Sequence, residues 1–236
     1  MNSPEIAEIG PGIHRISTFV PSVGPTGFTF NQFLVLADEP LLFHTGPRGL
    51  FAHVAEAVAT VLPVEKLRWI SFGHLEADES GSVNMWLAAA PQSQVAFGAL
   101  GCDISFNDLC DRPPRALAEG EVLDLGGRRV RQVSTPHVPH GWEAQVLFEE
   151  TTSTLFCGDL FSHTGRPKPL TDNDVVGPAL DAERMFHATT PGPLAPRTLR
   201  TLAELSPRRL AIMHGSSFEG DGARALRDLA GGYEAL

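Results

Sequence analysis

The apolar positions of this chain fall into short runs broken by Gly, Pro and Asp, and they show two periodicities. GIHRISTFV (12–20) alternates well enough for a strand. FTFNQFLVLA (28–37) and PLLFHTG (40–46) form an expected strand pair turned at DEP. GLFAHVAEAVATVL (49–62) carries apolar residues at helical spacing and stops at Pro63. KLRWISFGH (66–74) predicts an apolar strand, SVNMWLAAAP (82–91) a short buried helix ended by Pro91, and SQVAFG (93–98) another strand. Helix and loop are expected over 99–114. EVLDLGGRRVRQVSTP (121–136) predicts a hairpin turned at Gly126 and Gly127, and AQVLFEETTSTLFCGDLF (144–161) a second one turned at TTS. Residues 163–178, rich in Pro, Gly and Asp, are expected to be loop, followed by helices at 180–190 and 196–205. RRLAIMHGS (208–216) predicts a strand ending in a Gly-Ser turn, and DGARALRDLAGGYEAL at the C-terminus a helix. No composition shift marks a linker. The simplest architecture is one α/β domain over 1–236, with two layered sheets and helices outside.

The same pattern locates the chemistry. HLEADE (74–79) follows an apolar strand and precedes a helix, so His74, Glu76 and Asp78 alternate with Leu75 and Ala77 and can converge on one point. Taken alone, this stretch serves equally well as a solvated acidic loop with Asp78 or Ser80 capping the next helix. Other strand ends repeat the chemistry. TPHVPHGWE puts His137 and His140 after RVRQVS, FCGDLF puts Asp159 after STLFC, and AIMHGS puts His214 after RRLAI. A metal-competent side chain at four separate strand ends points to one metal or catalytic site.

In this order the residues resemble the metallo-β-lactamase superfamily. His-x-Glu-x-Asp in the first loop is similar to its di-iron branch, the flavodiiron proteins and related oxygen-binding di-iron proteins. The resemblance spans essentially the whole chain and implies an αββα four-layer sandwich of two mixed sheets with helices on the outer faces. It implies one iron on His74, Glu76 and the second-loop histidine, the other on Asp78 and His214, and Asp159 bridging them. Two residues compete for the second-loop position. His140 lies 19 positions before Asp159 and His137 lies 22, and HGWE stands where the branch commonly has His-Trp-Pro-Asp. This favours His140 as ligand and His137 as its outer partner. Where the branch often has a further histidine this chain has Glu79, which either adds a carboxylate ligand or leaves an open position. His44 and His163 are candidates for ligand or outer partner, and Trp142 for the pocket wall. His53 and His187 read as surface residues of helices.

Three carboxylates with three imidazoles make a harder donor set than zinc prefers, and suit two Fe ions, with Mn or Zn as alternatives. The three cysteines, Cys102, Cys110 and Cys157, form no C-x-x-C pair, so a thiolate zinc site and a disulfide framework are not expected. A net charge of −10 argues against nucleic acid and anionic membranes as partners. No signal peptide and no apolar run of ~18 residues are visible, which reads as cytoplasmic. No G-x-S-x-G, Walker or G-x-G-x-x-G motif occurs.

The first expectation is therefore a non-haem di-iron protein that binds O2, NO or peroxide. Neither a flavodoxin domain nor a flavin is expected from this sequence. Electrons would come from a separate donor protein, or the chain would bind O2 as a sensor with a signalling partner. The alternative is a metal-dependent hydrolase of esters, lactones, thioesters or phosphodiesters acting on a small-molecule substrate. A third is a binding module with a structural metal. A homodimer is compatible with all three.

Overall fold

The computed structural model describes residues 3–236. Two seven-stranded sheets face each other. The first contains β1 (Glu5–Gly10), β2 (Ile13–Val20), β3 (Phe28–Val35), β4 (Leu41–Phe43), β5 (Trp69–Ser71), β6 (Gln94–Gly98) and β7 (Arg115–Leu117), in that spatial order. β1 to β4 form an antiparallel meander, and β4 to β7 run parallel. Parallel neighbours need crossovers. These are α1 (Phe51–Ala59), then α2 (Ala77–Ser80) with α3 (Val83–Ala89), then α4 (Ala99–Gly101) and α5 (Asn107–Leu109) around a π-helical turn, Cys102–Phe106.

The second sheet contains β8 (Val122–Asp124), β9 (Arg129–Ser134), β10 (Gln145–Glu149), β11 (Thr154–Phe156), β12 (Leu170–Thr171), β13 (Arg209–Ala211) and β14 (Ser217–Glu219), with α6 (Val176–Phe186), α7 (Leu194–Ala203) and α8 (Gly222–Glu234). Its spatial order is β12-β14-β13-β11-β10-β9-β8, with β11 and β13 parallel.

Strand alternation divides the apolar residues among three layers. Phe33, Val35, Leu41 and Phe43 from the first sheet meet Leu147, Phe156 and Ala211 from the second in the middle layer. Their neighbours Leu34 and Leu42 point the other way, onto Val54 and Val58 of α1 and Trp86 of α3. Val146, Leu155 and Leu210 point outward from the second sheet onto Leu199 and Leu202 of α7 and Leu226 and Leu229 of α8. Helices thus cover both outer faces, giving the αββα sandwich. Each buried Val, Leu or Phe among them contributes about 1.5–3 kcal/mol relative to exposure.

Several elements differ from the sequence reading. β1, β7, β12 and β14 were not expected; three of them have only two or three residues, too few for alternation to register. The strands expected over 66–74 and 208–216 are three residues each, because their polar ends leave the sheet to form loops. α6 starts at Val176, inside the expected loop. Asp174 accepts from Val176 N–H at 2.8 Å, and Pro178 is tolerated in a first helical turn, where its missing N–H is no loss.

Candidate metal centre

The loops that leave β5, β9, β11 and β13 converge where the two sheets meet. A buried polar staple fixes their relation. Asn31 Nδ2 on β3 donates to the carbonyls of Ile212 (2.8 Å) and Gly215 (3.0 Å), and Gly215 N–H donates to Thr29 Oγ1 at 2.7 Å. The His214 loop of the second sheet is thereby held on the first. In the first loop, α2 separates two adjacent acids. Successive residues of a helix point about 100° apart, so Asp78 faces the convergence point while Glu79 turns into the protein, where it is fully buried.

Two groups of side chains result. His74, Glu76, His140 and Asp159 offer ligand atoms within 4.8 Å of one another, and so do Asp78, Asp159 and His214. Asp159 belongs to both. Glu76 Oε2 lies 2.8 Å from His74 Nε2 and 3.1 Å from His140 Nε2. His214 Nε2 lies 3.1 Å from Asp78 Oδ2 and 3.2 Å from Asp159 Oδ1. In all three histidines Nε2 faces the acids, while Nδ1 faces an outer acceptor. That acceptor is Glu79 Oε1 for His74 (3.3 Å), the Ala188 carbonyl for His140 (3.0 Å) and the Thr29 carbonyl for His214 (2.7 Å). An outer acceptor on Nδ1 holds its proton there and leaves Nε2 free to ligate a metal.

Mutual attraction sets the protonation of these groups. Hydrogen bonds from His140, then His74, hold the Glu76 carboxyl down at about 2. Burial opposes charge on His74, but the Glu79 carboxylate, helped by Glu76, pushes it up to about 12. Burial likewise opposes charge on His214, and Asp159 and Asp78 push it up to about 10. Asp159 is held well below the usual carboxylate range, against burial, by His214, His74 and His140. Protons on the imidazoles thus neutralise the acids, as cations would. Asp78 Oδ1 and Asp159 Oδ1 are buried without a hydrogen-bond partner, even though His214 Nε2 is close to Asp159 Oδ1. Buried carboxylate oxygens left without a hydrogen-bond partner fit a cation beside them. The mixture of carboxylate and imidazole fits a pair of hard to borderline divalent ions.

The other candidates lie elsewhere. Glu79 is outside both groups: it accepts from Gly73 N–H at 2.5 Å and His74 N–H at 2.7 Å. Gly73 is required there, since a Cβ would sit 2.8 Å from Glu79 Oε2. His44 is buried behind Glu79, with Nε2 3.4 Å from Glu79 Oε1 and Nδ1 3.1 Å from the Asn31 carbonyl. His163 is a structural bridge, its Nε2 accepting from Ser216 N–H at 2.9 Å and its Nδ1 2.9 Å from the Phe161 carbonyl. His137, expected as an outer partner, is exposed; its backbone N–H closes the turn to Gly141 O, and the Ala188 carbonyl takes the expected role on His140. Trp142, expected as a pocket wall, is 55 % exposed and lines a different cavity with Leu100 and Pro136, because the chain turns away after His140.

The cavity over the two groups has a volume of about 300 Å³. Phe28, Phe30, Phe186 and Tyr233 are among its lining residues, and the sequence reading assigned none of them to the site. Phe28 stacks on the His214 ring at 4.2 Å and Phe30 meets it edge-on at 5.2 Å. The alternation of FTF places both on one strand face, a signal that could have found them.

A family model described as ODP family beta lactamase matches residues 28–214, which contain every residue of both groups. The chain belongs to the ODP family beta lactamases. This family member is 25 % identical over 207 residues to the rubredoxin-oxygen oxidoreductase of Megalodesulfovibrio gigas, covering 84 % of this chain and 51 % of that protein. It is 31 % identical over 158 residues to a hydroxyacylglutathione hydrolase of Acidiphilium cryptum, covering 61 % of each. A solved variant of the flavo di-iron protein of Thermotoga maritima superposes with a TM-score of 0.85 at 18 % identity, covering 98 % of this chain and 62 % of that one. The chain therefore spans about half the length of the first curated relative. Among the described residues, no helix is long and apolar enough to cross a membrane.

Proposed function

We propose that this protein is a non-haem di-iron protein that binds O2, with NO or peroxide as related ligands. The observation that carries the reading is the shared Asp159 between two groups of three and four donors. His74, Glu76 and His140 would hold one iron, Asp78 and His214 the other, and Asp159 both. When bound, two ferrous ions would supply up to two electrons to a diatomic ligand. The chain's own residues orient the ligands through Nδ1, and the Phe28 and Phe30 rings shield His214 from water. Relatives named as a rubredoxin-oxygen oxidoreductase and a flavo di-iron protein support the choice of iron and of oxygen chemistry. Sustained turnover would draw on an electron donor; without one, the protein would act as an oxygen sensor or binder. Iron analysis followed by anaerobic titration of the ferrous protein with O2 tests the reading, which fails if no optical change appears.

A second reading, metal-dependent hydrolysis, is favoured by two observations. The cavity of about 300 Å³ exceeds the needs of a diatomic ligand, and one relative is named a hydroxyacylglutathione hydrolase. Turnover of thioester or lactone substrates by the zinc- or manganese-loaded protein, with no response of the ferrous protein to O2, would select it.

A further inference from the structure

A second cavity of about 460 Å³ adjoins the one over the metal ligands, and Glu183, Thr189 and Tyr233 line both. These three side chains form a chain of contacts through the partition. Thr189 Oγ1 donates to Glu183 Oε2 at 2.6 Å and lies 3.3 Å from Tyr233 Oη. Thr189 N–H also donates to Glu183, at 3.2 Å, so the carboxylate is held in place. The sequence prepares the arrangement. Tyr233 is the only tyrosine of the chain, and it follows Gly232, where a Cβ would meet Leu180 Cδ1 at 2.5 Å. Glycine is unfavourable inside a helix; here it lets α8 approach α6 and brings the phenol to Glu183.

We propose that Glu183, Thr189 and Tyr233 are a proton relay from the outer cavity to a ligand in the metal cavity. The inference rests on the metal-site reading above, but not on O2 as the ligand. Each hydroxyl carries one proton, so the chain has a direction. With Glu183 ionised, the Thr189 proton is committed to the carboxylate, and the phenol can bond Thr189 only by donating to it. Its proton then points away from the metal cavity. A proton taken up by Glu183 from outer water reverses both bonds: Glu183 donates to Thr189, Thr189 donates to Tyr233, and the phenol proton turns towards the ligand. Transfer moves one proton along each bond, ending with a protonated ligand and Glu183 ionised again, and no electrons change place. Burial, with the charges of Glu183 and Asp159, pushes the phenol up to about 12, so it acts as a neutral donor. His187, Arg184 (paired with Asp181) and the carboxylate-bearing Leu236 line the outer cavity with Glu183, and Glu76, Asp78, His140, Asp159 and His214 line the inner one.

The test uses azide bound to the full chain loaded with iron or cobalt, read by the infrared shift of the azide stretch on transfer to D2O. The wild type should show the shift at low pH and lose it at high pH. Tyr233→Phe should lack it at every pH. Glu183→Gln, which keeps the amide in contact with Thr189 but removes the group that takes up and gives back a proton, should remove the pH dependence. Thr189→Val should remove the pH dependence. Thermal melts establish that each variant is folded. A D2O shift retained in Tyr233→Phe, or a Glu183→Gln profile like that of the wild type, overturns the relay. Ferrous protein inert to O2 would overturn the oxygen reading and leave the azide outcome decisive for the relay.

Discussion

Removing the Glu79 carboxylate separates two roles that one acid at this position could have, metal ligand and holder of a ligand. The side chain is fully buried and accepts from Gly73 and His74 N–H, with Oε1 3.3 Å from His74 Nδ1. In Glu79→Ala two buried N–H donors lose their acceptor, at about 1–3 kcal/mol each. The expected loss is about 4 kcal/mol, or a fall in Tm of roughly 8–16 °C for a chain of this size. Glu79→Gln is the sharper probe. Its amide oxygen still accepts from both N–H groups, so the expected stability loss is only about 1 kcal/mol. Its NH2 then faces His74 Nδ1 and can only donate. That drives the His74 proton to Nε2, the nitrogen the metal needs. Loss of an outer partner typically lowers metal affinity about 10–100-fold. The assay is a chelator competition resolving two binding steps, paired with calorimetry of the metal-free protein. Affinity should fall at the step that His140→Ala also impairs. An unchanged affinity would refute the account, and a loss confined to the step impaired by His214→Ala would make Glu79 a ligand of the other metal.

Metal binding would couple to folding, because only the folded chain brings these ligands together. A metal present at about a thousandfold over its Kd should add about 4 kcal/mol, so chelation should lower Tm by roughly 8–16 °C in calorimetry. Asp159→Ala should abolish both binding steps, whereas His140→Ala should spare one, as read by metal-to-protein ratio. In the metal-free protein, Glu76 is held down at about 2, so its stabilisation is present above its ordinary 4.5 and is lost as pH falls towards 2. His214 is pushed up to about 10, so its stabilisation is present below its ordinary 6.5 and is lost as pH rises through 10. A urea-melt series on metal-free protein should therefore show the contribution of these two groups fully present only between about pH 4.5 and 6.5. Metal uptake should release protons at pH 7, because His214 must give one up to ligate, and a pH-indicator titration reads this directly.

The convergence of the candidate ligands was legible in the sequence wherever a metal-competent side chain ends an apolar run. HLEADE, GDLF and MHGS each do so, because a strand that delivers a ligand must stop being apolar at that residue. What remained hidden depends on direction or distance. Asp78 and Glu79 are neighbours in sequence, and only the turn of α2 sends one to the cavity and the other behind His74. His137 and His140 differ in which way the loop faces, and the chain's course after Gly141 carries Trp142 out of the site. Tyr233 lies near the end of the C-terminal helix, away from any strand end, and only the packing of α8 on α6 brings it to the cavity. The sandwich was legible from strand and helix order, while strands of two or three residues carried too little pattern to register.

The most direct test of the central claim is the anaerobic titration of ferrous-loaded protein with O2, read optically beside the iron-to-protein ratio. The account predicts two irons per chain, as the two donor groups sharing Asp159 require, and an optical change that saturates at one O2 per chain. A single iron per chain, or two irons with no optical response to O2, would contradict it.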